Sequence, residues 1–282
     1  MSLKARFFSE NFYNDIMFSG HVISANTAAA GNEAFRVGTG RRMSARNKWT
    51  PTALNLAAWI KVVCDRVRTA NCIVMDRGHN LAGETIRLEV SDDNFTTKTE
   101  VFNTVVPTLV FPNNHLDQLP GVKTEEGAWA FKFTPTSGRY WRLFIDAMGA
   151  GLKPEIVGLY LGLSYEPDYH LDLPFEDESG ESFYNDVMSD TAWVASTRAA
   201  SRRAGPIGLR LSSKDEYEKA RYHIKKLFME ERRLMWIFFN QQEAERAVLA
   251  RHNRGEYSFN VREGWHFRQS SFSWFEHEPA LS

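Results

Sequence analysis

The sequence predicts a mainly β protein in two parts, a β-sandwich followed by a smaller β-rich domain with one helix. Three observations carry this. Short apolar runs rich in β-branched and aromatic residues recur up to about residue 165, separated by Gly, Pro, Asn and Asp. Convincing helical spacing occurs only between Ser213 and Arg233. The composition shifts at Tyr165-Glu166-Pro167-Asp168, where a sandwich-like pattern gives way to Pro and acidic residues. The expected division is an extended arm over residues 1–20, a sandwich over 21–165, and a sheet with one helix over 166–282.

Taken in order, the arm carries Phe7, Phe8, Phe12, Tyr13, Ile16, Met17 and Phe18 with no settled period. That much apolar surface needs a surface to lie against, on its own domain or on a neighbouring subunit. Val22–Ala25 begins a strand, and a basic loop from Thr39 to Lys48 leads to Trp49. Trp59–Cys64 and Asn71–Met75 read as two buried strands with a polar interval between them. Gly78 and Gly83 bracket a polar loop. Ile86, Leu88 and Val90 then alternate with Arg87, Glu89 and Ser91, as in a strand with one wet face. Val101–Val106, Leu109–Phe111, Trp129–Phe133, Arg139–Ile145 and Pro154–Gly162 complete the set, with Tyr140, Arg142 and Phe144 sharing a face. Trp59 and Trp141 are both expected in the core.

In the second part, Ser213 followed by Glu216 is a capping box. Tyr217, Ala220, Ile224, Leu227 and Phe228 recur at helical spacing behind it. Leu234–Phe239 reads as a buried strand. Tyr257–Val261, a Glu263-Gly264 turn with Trp265–Arg268 returning, and Phe272–Glu276 supply the remaining strands. One echo stands out: Phe12-Tyr13-Asn14-Asp15-Ile16-Met17 returns as Phe183-Tyr184-Asn185-Asp186-Val187-Met188. The plain reading is a shared local turn. The sharper one is that both copies dock on equivalent surfaces of an assembly, which makes Phe7, Phe8, Phe12, Tyr13, Phe183 and Tyr184 the candidate assembly residues.

Composition narrows the function. The chain has 282 residues, 43% of them apolar and 13% aromatic, with a formal net charge of −1. That balance gives no electrostatic footprint for nucleic acid. The pairs Arg41-Arg42 and Arg202-Arg203 are short enough to be solvated surface. No apolar run of about 18 residues is present for a membrane helix, and residues 1–10 lack the apolar core of a signal peptide. Synthesis in a cytosol is therefore expected, which suits two buried free thiols, Cys64 and Cys72, better than a disulfide between them.

Trp59-Ile60-Lys61-Val62 resembles the strand motif of the discoidin, or coagulation factor C-type, domain, a galactose-binding-like jelly roll. Ala34–Gly38 and Trp49 resemble its early region, and Gly138-Arg139-Tyr140-Trp141-Arg142-Leu143 its closing strand. The resemblance covers about residues 20–163 and implies a discoidin-like jelly roll. No cysteines stand near residues 20 and 163 to tie its ends as in extracellular members. Such domains without a secretory setting resemble phage structural proteins, and the second part is similar in outline to the interlocking domain of distal tail and baseplate proteins.

No catalytic constellation is legible. Gly38-Thr39-Gly40 lacks the Lys and helix of a phosphate loop, HExxH and CxxC are absent, and the 8 His are scattered. His79 reads as a turn residue before a ligand, and Asp92-Asp93 as a turn before a calcium site. The expectation is no enzyme, no cofactor and no metal. The leading expectation is a virion protein of a phage tail tip, made in the host cytoplasm. It self-assembles into a ring of threefold or sixfold symmetry and bridges other tail and baseplate proteins. The alternative is a carbohydrate-binding module for a host glycan, with Arg41, Arg42, Asp76, His79, Asn80 and His115 on the loops at one end of the sandwich as ligand contacts. Neither reading involves nucleic acid or a membrane span.

Overall fold

Two very long strands organise the first half of the chain. The computed structural model describes residues 5–14, 20–38, 48–107, 122–123, 128–149, 151–169, 171–172, 184–188, 194–198, 204–238, 247–252, 258–261 and 268–276. In chain order the first strands are β1 (Arg6–Phe8), β2 (Val22–Ala25), β3 (Ala58–Met75), β4 (Thr85–Ser91), β5 (Thr99–Val105), β6 (Val122–Lys123), β7 (Trp129–Ile145) and β8 (Leu159–Gly162). A 3-10 turn covers Ala34–Gly38.

β3 is 18 residues long and β7 is 17. Left straight, each would reach about 60 Å, longer than a domain of this size is wide. They bend instead. The β3–β7 register runs cleanly from Ala58↔Ile145 to Val63↔Tyr140, shifts before Arg68↔Gly138, and shifts again before Cys72↔Lys132. Irregularities of this kind bend a strand and raise its twist. Gly138 sits at the bend because a Cβ there would lie 2.2 Å from the Val90 side chain. The polar interval read as a break between two strands is therefore a corner within one, and the same holds for β7.

The corner gives each long strand two partners. The N-terminal half of β3 pairs with β2 and with the end of β7, which carries β4 and then β5. The C-terminal half of β3 pairs with β8 and the start of β7, which carries β6. Ile60, Val62, Trp141, Leu143, Ile86 and Leu88 from the first layer share one core with Ile73, Met75, Trp129, Leu159 and Leu161 from the second. The architecture is a mainly β, antiparallel jelly-roll sandwich.

The arm completes this sandwich. Phe7 and Tyr165 exchange backbone hydrogen bonds of 2.8 and 2.7 Å, and Phe12 N–H donates to Leu161 O at 2.8 Å. The Leu163 N–H donates to Glu10 Oε2 at 3.0 Å. Arg6 donates to Ser164 Oγ at 3.0 Å and pairs with Glu166. Two glycines make room: a Cβ on Gly38 would fall 1.6 Å from Tyr13 O, and one on Gly162 would fall 2.7 Å from Glu10 O. Phe7, Phe8, Phe12 and Tyr13 are all at most 1% exposed, and Phe12 and Tyr13 belong to the sandwich core. Residues 5–14 of the arm thus pack on their own sandwich, and Phe7, Phe8, Phe12 and Tyr13 are covered within the chain; Ile16, Met17 and Phe18 lie outside the described residues.

Trp141 is fully buried, as expected, but Trp59 stands half-buried on the outer face of its sheet. The alternation explains this, since Ile60 and Val62 take the inward positions of β3. Cys64 and Cys72 are buried and free, on one strand and not on neighbouring ones. Burial pushes both thiols up to about 12, so neither is a ready nucleophile.

Contacts divide the chain into Met1–Glu166 with Ile237–Ala247, and Pro167–Trp236 with Val248–Ser282. The later elements are β9 (Leu171–Asp172), β10 (Tyr184–Met188), β11 (Val194–Arg198), β12 (Ala204–Leu211), helix α1 (Lys214–Ala220) continuing into a π-helix (Arg221–Glu230), β13 (Met235–Phe238), β14 (Val248–His252), β15 (Ser258–Val261) and β16 (Arg268–Glu276). The second unit has a sheet in the order β14-β16-β12-β9 with β15 also on β16, and a separate β10–β11 hairpin. Ser213 Oγ caps α1 by accepting from Glu216 N–H at 3.2 Å. The other half of the expected capping box is redirected, because the Glu216 carboxylate accepts from the Ser212 and Asp168 N–H groups. Beyond Ala220 the winding loosens, and Glu231 N–H reaches back five residues to Lys226 O. Ala220, Ile224 and Phe228 with His223 and Leu227 form the buried stripe. The Phe228 ring meets Phe272 at 5.8 Å.

The two copies of the echo differ in structure. Phe12 and Tyr13 form a turn packed in the sandwich, whereas Tyr184–Met188 is a strand paired with Val194–Arg198. Phe183 lies outside the described residues, as do Leu109–Phe111 and Trp265–Phe267 among the expected strands.

Candidate functional site

The loop end of the sandwich was the expected site, and its described residues are tied into the fold. Asp76 follows β3 and is 1% exposed. Its N–H donates to Gly158 O at 2.9 Å, and its Oδ1 accepts from Arg77 N–H at 2.8 Å. Asn80 clamps the loop to the segment before β8, donating to Lys153 O at 2.9 Å and accepting from Glu155 N–H at 2.8 Å. His79 is half-buried, and its Nδ1 faces Leu81 N–H at 3.3 Å. Lys48 pairs with Glu155 at 2.7 Å, and Trp49 and Ile156 exchange backbone hydrogen bonds. Asp76 and Asn80 therefore hold the loop's shape. The reason is that backbone groups in a closely packed turn need partners, and short polar side chains supply them. Arg41, Arg42 and His115 lie outside the described residues.

A second arrangement was missed as a site: Arg87, Glu89 and Ser91 were read as a wet face and Tyr140, Arg142 and Phe144 as sharing one, but Trp59 was expected in the core. On the outer side of the first layer, three cross-strand rows run over β3, β7 and β4. They are Trp59–Phe144–Arg87, Lys61–Arg142–Glu89 and Val63–Tyr140–Ser91. The β4–β5 loop adds Phe95, held at φ +69° with its N–H on Ser91 Oγ at 2.9 Å. Asp93 knots this loop by accepting from Thr97 and Ser91. Those hydrogen bonds, Thr97 first, bring its carboxyl down to about 2. The Asp92-Asp93 pair is thus a turn, and no group of potential metal ligands occurs among the described residues.

Cations and rings interlock across this face. The Arg87 guanidinium lies 4.1 Å from the Phe144 centroid, and that of Arg142 lies 4.1 Å from Phe95 and 5.9 Å from Trp59. Lys61 Nζ sits 5.7 Å from Trp59 and donates to Asn94 Oδ1 at 3.0 Å. Glu89, 1% exposed, lies beneath them and accepts from Arg142 Nε at 2.8 Å, from Arg142 Nη2 and from Lys98. Burial pushes its carboxyl up, and the hydrogen bonds and charges of Lys98 and Arg142 outweigh that and hold it below its usual value. Trp59, Tyr140, Phe144 and Phe95 remain half-buried, so the face presents rings and guanidinium groups to solvent on a rigid sheet. A cleft beside it, about 190 Å³ and lined by Ser91, Asp92, Thr97, Lys98 and Ser137, is smaller than the usual small-molecule pocket. A flat surface suits an extended ligand instead.

No family model matches the chain, and no curated protein matches it. Similar solved structures include chitosan-binding module 1 of a chitosanase/glucanase from Paenibacillus sp. IK-5, at 18% identity and a TM-score of 0.40, over 54% of this chain and 98% of that one. A family 32 carbohydrate-binding module of Clostridium perfringens NanJ, in complex with galactose, is 12% identical with a TM-score of 0.39 over 51% and 93%. A GH29 fucosidase of Ruminococcus gnavus, in complex with fucose, is 11% identical with a TM-score of 0.41, and the match spans 56% of this chain and 27% of that one. At these identities and scores none of them decides a ligand, and the fold stands on the strand pairings of this chain. No helix among the described residues is long and apolar enough to cross a membrane.

Proposed function

We propose that this chain is a carbohydrate-binding β-sandwich protein, without catalytic activity of its own, whose binding surface is the outer face of β3, β7 and β4. The carrying observation is Trp59: a tryptophan on a regular strand, turned to solvent and flanked by Lys61, Arg142 and Phe144. Aromatic faces offer apolar contact beside polar groups, which matches a sugar ring with its C–H face and hydroxyl rim. The resemblance of its strand motifs to the galactose-binding-like jelly roll points the same way. The test is binding of the full chain to a panel of polysaccharides, repeated with Trp59→Ala. Retention on at least one glycan that is lost in the variant supports the reading. A panel with no binder, or binding indifferent to Trp59, overturns it.

The mixture of Trp, Tyr and Arg on this face also favours a second reading, since those residues dominate protein interfaces. On that reading the chain is a virion tail or baseplate component and the face meets another tail protein or a second copy. A defined ring in solution, abolished by Trp59→Ala, would favour it over glycan binding.

A further inference from the structure

We propose that the ligand of this face is an acidic polysaccharide, with its carboxylate or sulfate groups read by Arg87, Arg142 and Lys61. This rests on the carbohydrate-binding reading of the same surface. Three observations carry it beyond that reading.

The first is how the guanidinium groups are held. Arg87 and Arg142 each lie 4.1 Å from a ring centroid, Phe144 and Phe95 respectively. A guanidinium stacked on a ring is fixed in orientation before any ligand arrives, and a planar fork of donors suits carboxylates and sulfates.

The second is unused donor capacity. Arg142 bonds Glu89 through Nε and Nη2, and no hydrogen bond reaches its Nη1 among the described residues. Arg87 makes no hydrogen bond among them, having only ion pairs at 3.5 Å to Asp146 and 3.8 Å to Glu89. Such separations leave charge on the surface incompletely matched.

The third is the arrangement of the charges. Arg142 and Lys98 pair with the one buried carboxylate, Glu89, and Lys61 stands across from Arg142. The other carboxylates, Asp146, Glu100, Asp92 and Asp93, lie just past the end of β7, on β5 and in the β4–β5 loop, outside the three rows. Tyr140 and Phe144 stand four residues apart on β7, about 14 Å at the rise of a strand. That span fits an extended chain with pendant charges better than a single sugar.

The experiment is titration of the full chain with polygalacturonate and polymannuronate, each beside its methyl-esterified form, which keeps the sugar backbone and removes the charge. Single-stranded oligo-dT serves as an unrelated polyanion. We expect the acidic forms to bind about tenfold or more tightly than the esterified ones, with affinity falling as salt rises. Lys61→Gln and Arg87→Gln should each lower affinity for the acidic form about three- to tenfold, and by clearly more than for the esterified form. Their melting curves should match the parent chain. Equal binding of acidic and esterified forms, dependent on Trp59, overturns this inference and leaves carbohydrate binding standing. Failure of all glycans, the neutral panel included, removes both. Oligo-dT binding as tight as the uronates also overturns it, by showing a polyanion surface without sugar recognition.

Discussion

The loop end and the outer sheet face of the same sandwich use polar residues in opposite ways. At the loop end, Asp76 and Asn80 look like ligand contacts in sequence, yet their side chains close backbone hydrogen bonds to Arg77, Lys153 and Glu155. On the sheet face, the backbone is already satisfied by the ladder. Arg87, Arg142, Lys61 and Trp59 are therefore free of that duty and arrange themselves against one another and against Glu89. Irregular chain consumes its polar side chains, while regular chain releases them. A strand with one wet face is thus as good a place to look for a site as a polar loop.

The comparison can be broken by mutation, beginning with the largest effect. Trp141 and Trp59 lie on paired strands, one inward and one outward. Trp141→Ala should destabilise the chain by about 3–5 kcal/mol in urea unfolding, the cost of a large cavity. An unchanged midpoint would mean that the inward assignment of β7 is wrong. Glu89→Gln should cost about 1–3 kcal/mol, because Arg142 and Lys98 lose a charged acceptor but stay partly wet. Its carboxyl is held low in the folded state. Its contribution is therefore present above the ordinary carboxylate pKa of about 4.3 and is lost as pH falls through the folded value. The variant should show a flatter stability profile than the parent below about pH 5, and an identical acid limb would refute the role of Glu89 as a buried anion.

Smaller effects separate the loop from the face. Asn80→Ala should cost about 1–2 kcal/mol, from two lost hydrogen bonds to backbone, and leave glycan affinity untouched. A loss of affinity without a loss of stability would return the site to the loop end. Trp59→Ala should cost less than about 1 kcal/mol, the scale of one cross-strand pair, and abolish glycan retention. A large drop in stability would place Trp59 among the core residues after all.

Much of the fold was legible. The alternation in Tyr140–Ile145 separated buried from part-exposed positions correctly, because a strand's period of two is a local property; in Ile86–Ser91 the inward residues were right, but Glu89 and Ser91 of the expected wet face are buried by partners from other elements. Ser213 was legible as a cap for the same reason. Strands β12 and β14 were missed: Gly205, Pro206 and Gly208 interrupt the first, and Arg251 and His252 end the second without clean alternation. The π winding after Ala220 is also invisible in sequence, since Ala220, Ile224 and Phe228 satisfy an α-helical spacing equally well.

What the sequence determined by itself is the mainly β character, the alternation within its central strands, the helix start, and the absence of familiar catalytic motifs. Each follows from near-neighbour chemistry. Only the tertiary structure decided that β3 and β7 each run through a corner, because the register shifts at Arg68 and Gly138 depend on a partner some 70 residues away. It alone decided that residues 5–14 of the arm belong to their own sandwich. Phe12 and Tyr13 are apolar wherever they lie, and what seats them is the space left by Gly38 and Gly162. It also decided which rings meet which cations on the outer face. The sequence places Arg87 and Glu89 on one face of their strand and Tyr140, Arg142 and Phe144 on one face of theirs, but the rows they form depend on the register between strands, and register is a property of the folded sheet.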